Sequence, residues 1–443
     1  MTAMPASTLS QSLRSIQLDD VPVAQATARV HAATGLLLEC TGAALPLNAR
    51  CHIEMADGSK LPAQVVGFRG SVSFLMPLRS AHGLAIGARV VQDHDRVQTM
   101  VGMSWLGRVI NGLAEPLDGL GRLGGSDPLP AHPPRVNPMR KRPVTESMDV
   151  GVRAINGMLT LGRGQRVGLF AGSGVGKSVL LGMMTRHTEA DVIVVGLIGE
   201  RGREVREFIE HALGAEGLKR AVVVVAPADE PALMRMSATE LCHTLAAYYR
   251  DQGLNVLLLL DSLTRYAMAR REIALALGEP PATRGYPPSV FSMLPQLVES
   301  AGNGEQGQGS MTAIYTVLAE GDDQQDPIAD TARAILDGHI VLTRQLAERG
   351  HYPAIDVAAS ISRCMPQVVT GQHLAAARQA KERMARYAQV RELIPMGAYV
   401  PGADPVTDQA VQSWPALEGF LRQSTDESAS MAQCQMQLQQ VSA

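Results

Sequence analysis

The chain has few cysteines, few aromatic residues and no long apolar run. Its five cysteines, Cys40, Cys51, Cys242, Cys364 and Cys434, are dispersed and show no CxxC spacing. An odd, scattered set excludes a disulfide frame and a cysteine zinc site, and points to reduced thiols in the cytosol. Aromatics make up 4% of 443 residues, which argues against a surface built on base stacking. The longest apolar runs, "VIVVGLI" and "VLLLL", fall far short of the roughly 18 residues a membrane helix needs. The first residues lack the basic and long apolar regions of a secretory signal, so a cytoplasmic protein is expected. A net charge of −3, with 19% charged residues, gives no global pull toward nucleic acid or membrane.

What is present suits an ordinary globular protein. Hydrophobic residues make up 46%, enough for a sizeable core, and the length suggests two to three domains. Residues 1–22 carry Leu9, Leu13 and Ile16 on one helical face, a candidate docking segment or a frayed tail. Residues 23–92 hold short alternating runs broken by Gly, Asp and Ser, the pattern of a small β-barrel or sandwich. Residues 93–365 hold "GRVINGLAEPLDGLG" and then the proline-rich strap "DPLPAHPPRVNPMRKRPV", in which Arg140, Lys141 and Arg142 suggest a solvated charge run or a phosphate contact. From 151, nearly continuous apolar runs such as "DVIVVGLIG", "RAVVVVAPAD" and "NVLLLLDS" alternate with helical stretches. Strands buried on both faces look like this, so the fold class is α/β with a mostly parallel sheet. Residues 366–443 read as a helical C-terminal unit.

The chemistry centres on "RVGLFAGSGVGKSVLL". A buried strand runs to Ala171 and a helix follows, with the P-loop pattern between them and Ala171 in the first glycine's place. The candidate nucleotide contacts are Gly172, Ser173, Gly174, Val175, Gly176, Lys177, Ser178 and Val179. The glycines let backbone N–H groups converge on phosphate oxygens, and the helix N-terminus faces the same charge. Lys177 is expected to reach the β and γ phosphates of ATP, with Ser178 ligating Mg²⁺. "NVLLLLDS" ends in Asp261, a second expected magnesium ligand from a neighbouring strand. "VIVVGLIGERGREVREF" delivers Glu200 to the same sheet edge, as general base or water-orienting group; a helix-capping acid is the competing reading. Arg201 is a candidate γ-phosphate contact, while Arg203 and Glu204 suit a salt-bridged pair.

"GERGRE", 23 residues beyond Lys177, is similar to the catalytic-glutamate motif of rotary ATPase β subunits. "PPSVFSMLPQLVESAG", "AEGDDQQDPIADTARAILDGHIVLTR" and "GHYPAIDVAASISR" resemble the type III secretion ATPases, and "GSGVGKSVLLGMM" is nearest their flagellar export branch. The resemblance runs from about residue 23 to 425. It implies a small N-terminal β-barrel, a RecA-like, F1-type ATPase domain, a helical C-terminal domain and a homohexameric ring with ATP between subunits. It further implies that Arg363 is an arginine finger entering the adjacent subunit's site, and that the Tyr352 ring stacks on adenine, although a partly buried core tyrosine fits that position too. The expected partners are a stator-like regulator at the N-terminal segment, the export gate, a stalk-like coupling protein near "AEGDDQQDP", and export chaperones with their substrates. The expected location is cytoplasmic, at the periphery of the inner-membrane export gate.

Three relatives of that reading compete with it. An ATP synthase catalytic subunit shares the Lys177, Glu200 and Asp261 logic, but a ring of two subunit types does not need Arg363 in the same chain. A Rho-like RNA translocase requires a nucleic-acid platform, and residues 23–92 show no aromatic–basic interleaving. The injectisome ATPase shares every catalytic residue.

Overall fold

A computed structural model describes residues 27–93, 99–134, 136–172, 174–318 and 326–442. The docking segment at 1–22, Ser173 and most of the acidic loop "AEGDDQQDP" lie outside those residues. The chain divides into two compact units, 1–96 and 97–443.

The first unit is a closed barrel of six strands: β1 (Thr27–Thr34), β2 (Leu37–Gly42), β3 (Arg50–Glu54), β4 (Lys60–Arg69), β5 (Val72–Pro77) and β6 (Arg89–Gln92), joined in the order β1-β2-β5-β4-β3-β6. Alternation builds it. Leu61, Ala63 and Val65 of β4 point inward while their neighbours stay partly exposed. All pairs are antiparallel, and β6 pairs with β1 to close the sheet, which removes every free edge.

The second unit is built on one eight-stranded sheet. Its strands are β7 (Val109–Asn111), β8 (Arg166–Ala171), β9 (Val192–Ile198), β10 (Ala221–Ala226), β11 (Asn255–Asp261), β12 (Ser310–Leu318), β13 (Gly338–Leu342) and β14 (Ile355–Ser362). The order is β14-β13-β8-β12-β11-β9-β10-β7, parallel throughout except for the β13–β14 pair. Every residue of β9 and of β10 is buried, because helices cover both faces. Six apolar runs after residue 151, "RVGLFAG", "DVIVVGLIG", "RAVVVVAPAD", "NVLLLLDS", "MTAIYTVLAE" and "GHIVLTR", form β8 to β13. Two more complete the sheet: β14, and the three-residue β7, which lies in "GRVINGLAEPLDGLG", ahead of the proline-rich strap.

The helices that matter most are α1 (Lys177–His187), α2 (Ala232–Asp251), α3 (Leu263–Ala276), α4 (Pro288–Glu299), α5 (Pro327–Ile335), α6 (Gly371–Val390), α7 (Pro405–Leu421) and α8 (Met431–Ser442). Thr370 and Asp404 cap α6 and α7 by accepting from His373 N and Val406 N. Tyr387 and Trp414 stack between these two helices at 4.3 Å. Leu417, Phe420, Leu421 and Leu438 belong to the same buried cluster as Leu169 and Ile193, so the C-terminal helices share one core with the sheet. In the strap, Lys141 and Arg142 donate to the backbone carbonyls of Ala301, Gln308 and Gly309. These cations pin the strap to the sheet unit. Among the described residues, no helix is long and apolar enough to cross a membrane.

Candidate active site

The loop between β8 and α1 turns through two left-handed glycines, Gly174 at φ 78° and Gly176 at φ 89°. A residue with a Cβ is disfavoured at both. Val175 between them is buried and anchors the loop, while Ser178 and Val179 are exposed on the first turn of α1. The free N–H groups of that turn, and its positive dipole end, face the loop's concavity. The far end of α1 is held by Arg220, which donates to four carbonyls: Thr188 and Ala190 at 2.9 Å, Thr185 at 3.0 Å and Arg186 at 3.1 Å.

Lys177, the first residue of α1, lies between two carboxylates. Its Nζ is 2.6 Å from Asp261 Oδ1 and 3.2 Å from Glu200 Oε1. Asp261 ends β11, and Glu200 follows β9 by two residues. Thr316 of β12, the strand between β8 and β11, donates its hydroxyl to Asp261 Oδ1 at 2.6 Å. Burial alone would lower the lysine's pKa, but Asp261 and Glu200 outweigh it and hold the ammonium above its ordinary value. Burial pushes the Asp261 carboxyl up, the Glu200 charge adds to this, and Lys177 opposes both. Glu200 owes its aim to Gly199, at φ 71°, where an added Cβ would lie 2.8 Å from Arg265 Cγ. It does not cap the following helix, which starts at Gly202 after Arg201 and has no side-chain cap.

These groups open onto a cavity of about 980 Å³ lined by Gly172, Gly174, Gly176, Lys177, Ser178, Val179, Glu200 and Arg201. That is ample for a nucleotide's phosphates and ribose. The Arg201 side chain is 72% exposed at the rim and pairs with Glu204 at 3.5 Å; Arg203 is 4.0 Å from the same carboxylate. Thr264, Arg265, Met268, Leu318 and Arg344 also line the cavity. None of these was singled out from the sequence, although "DSLTR" places Thr264 and Arg265 one helical turn beyond Asp261.

A second cavity of about 260 Å³ adjoins the first at Gly176 and Val179. Leu180, Met183, Leu342 and Pro353 make it apolar, and Tyr352, a residue 47% exposed, forms one wall. Gln423, Ser424 and Thr425, from the segment after α7, complete it, and Gln423 N donates to Tyr352 O at 3.0 Å. An apolar slot with an exposed aromatic wall suits a planar base.

Arg363 lines neither cavity. It follows β14 directly and is exposed; its Nη2 donates to Arg333 O at 3.2 Å and its backbone N to Asp337 O at 3.0 Å. The structure therefore brings Lys177, Ser178, Glu200 and Arg201 to one cavity, keeps Asp261 buried behind Lys177 without lining that cavity, and leaves Arg363 outside it. For a metal, the protein offers the Ser178 hydroxyl and the Asp261 carboxylate, both oxygens. Among the described residues, no cluster of three or more His, Cys, Asp or Glu could hold an ion by itself. So sparse an all-oxygen set fits magnesium, which keeps several waters and travels with phosphates.

Residues 151–362 match the nucleotide-binding domain of the ATP synthase alpha/beta family, and residues 369–440 match the T3SS EscN ATPase C-terminal domain. The flagellum-specific ATP synthase of Pseudomonas aeruginosa is 59% identical over 407 residues, 91% of this chain and 90% of that protein. Among solved structures, the assembled ATPase EscN of the enteropathogenic E. coli type III secretion system has a TM-score of 0.87 at 43% identity, covering 94% of this chain and 100% of that one. EscN in complex with its central stalk EscO gives 0.84 at 42%, with the same coverage.

Proposed function

The chain belongs to the ATP synthase α/β family, in its type III secretion branch, and from that premise we propose that it hydrolyses ATP to energise or prime export of flagellar proteins. The observation that carries the reading is Lys177 held between Glu200 and Asp261 at the mouth of the glycine loop. Identity of 59% to a flagellar enzyme, against 43% to EscN, favours the flagellar over the injectisome role.

The proposed roles draw on this geometry together with the family resemblance. Gly172, Gly174 and Gly176 present backbone N–H groups to the phosphates, with Val175 fixing the loop and Val179 beside the base slot; Ser173, also expected there, lies outside the described residues. Lys177 leaves its carboxylates for the β and γ oxygens. Glu200, freed of the lysine, orients the attacking water and accepts its proton. Ser178 and Asp261 would hold Mg²⁺, which when bound would neutralise charge on the phosphate oxygens. Tyr352 stacks on the adenine, and Arg201 at the rim leaves Glu204 to meet the γ-phosphate.

Arg363, exposed and outside its own cavity, acts in the next subunit of a homohexamer as an arginine finger. The assembled form of EscN supports such a ring, and its complex with EscO supports a stalk-like partner. The other partners in this reading are a stator-like regulator at residues 1–22, the export gate, and chaperones with their substrates. The enzyme works in the cytoplasm, peripheral to the membrane at that gate.

The test is Glu200→Gln. ATP binding should survive while turnover falls by about 10² or more. Unchanged turnover would return Glu200 to a structural role. The flagellar assignment is tested by restoring motility in a host lacking its own flagellar ATPase; parent protein that fails to restore it, while supporting injectisome secretion, reverses the assignment.

A further inference from the structure

Both attachments of Arg363 lie on one short stretch, residues 333–337, and that stretch is clamped to the P-loop strand at two points. At the start of β8, Arg166 Nε and Nη2 meet the two carboxylate oxygens of Asp337 at 2.9 and 3.0 Å. At its end, the Arg333 guanidinium lies 4.9 Å from the centroid of the Phe170 ring. Phe170 immediately precedes Ala171, the first residue of the glycine loop. Its ring folds back over Gly168, where an added Cβ would lie 2.4 Å from Phe170 Cε2, so a glycine is required beneath it. The ring also meets the His339 imidazole edge-on at 5.8 Å. Arg333 sits in the last turn of α5, and its carbonyl accepts from Arg363 Nη2, so the guanidinium caps the negative end of that helix.

We infer that Phe170 and Arg333 are positioning residues for Arg363, forming a bracket that ties its aim to the P-loop strand of its own chain. A cation–π contact of this kind is directional and holds the end of α5 against β8. A displacement of β8 at one nucleotide site is then passed to the guanidinium that serves the next. The inference rests on the reading of Arg363 as a finger in trans.

Mixed rings of full-length chains separate the two. Subunits carrying Arg363→Ala keep an intact P-loop but lack the guanidinium; subunits carrying Lys177→Ala keep the guanidinium but have a dead site. Mixing them should restore hydrolysis at interfaces where one supplies the site and the other the finger. No restored activity overturns the trans reading and the bracket with it. Given restoration, adding Phe170→Leu to the Lys177→Ala donor should cut it at least tenfold, although that donor hydrolyses nothing itself. Phe170→Tyr, which keeps the ring face, should leave it intact. Arg333→Ala in the donor should act like Phe170→Leu, and serves alone if the leucine variant fails to fold. Undiminished restoration with folded Phe170→Leu and Arg333→Ala donors overturns the bracket while leaving the finger in place.

Discussion

His243 is fully buried between α2 and β12, stacked on Tyr315 at 5.8 Å. Ser300 gives its hydroxyl proton to Leu297 O, so its oxygen accepts from His243 Nδ1 at 2.7 Å, and Nε2 is left a buried acceptor without a partner. Burial pushes this imidazole down to about 3 from an ordinary 6.5. Below pH 6.5 the unfolded chain binds a proton that the folded chain refuses. Stability present above that pH is therefore lost as pH falls toward 3, by at most about 1.4 kcal/mol per unit. His243→Gln should be less stable at pH 7.5 yet lose less between pH 6.5 and 4.5, as read by urea unfolding; parallel losses would mean that other groups govern the acid limb. At this scale the sequence was most legible where chemistry is local. Gly174, Gly176 and Lys177 announce themselves within a few residues. Thr316 reaches Asp261 from 55 positions away, and Gln423 reaches Tyr352 from the segment after α7, so only folding brings them in.

Among the elements, α1 carries the largest burden, since Lys177 and Ser178 start it. Four carbonyls at its far end converge on Arg220, and a cation there opposes the helix dipole. Arg220→Ala should cost roughly 3 kcal/mol, the order expected for charge-assisted hydrogen bonds to buried carbonyls. Thermal melting checks the cost, and a loss below about 0.5 kcal/mol would mean that water replaces the guanidinium. The long apolar strands could be read in advance because burial on both faces leaves unbroken runs. β7 could not: three residues beside β10 owe their pairing to a neighbour distant in sequence. The helix α8 falls within residues 366–443, read as helical, although "MAQCQMQLQQVS" is polar on most of its surface and buries only Cys434, Leu438 and Ser442.

For the whole molecule, the proposed finger in trans makes activity depend on assembly. Specific ATPase activity should rise steeply with protein concentration through the range where sedimentation reports growing oligomers. Full activity in a sample shown to be monomeric would exclude Arg363 as a finger in trans. The barrel-then-sheet-then-helix plan was legible because alternation, buried runs and helical periodicity leave distinct signatures. That the C-terminal helices share a core with the sheet was not, because helix periodicity says which face is apolar and not what it meets. The same molecule also carries its own displacing ligand. On the proposed reading Lys177 trades Glu200 and Asp261 for phosphate, so an arriving nucleotide would exchange one ion pair for another and a departing product would be pushed by the returning carboxylates. Such an exchange would give up tight binding for release. Glu200→Gln, with one competing charge removed, should hold ADP longer, and a stopped-flow release rate equal to the parent's would show that the exchange does not limit departure.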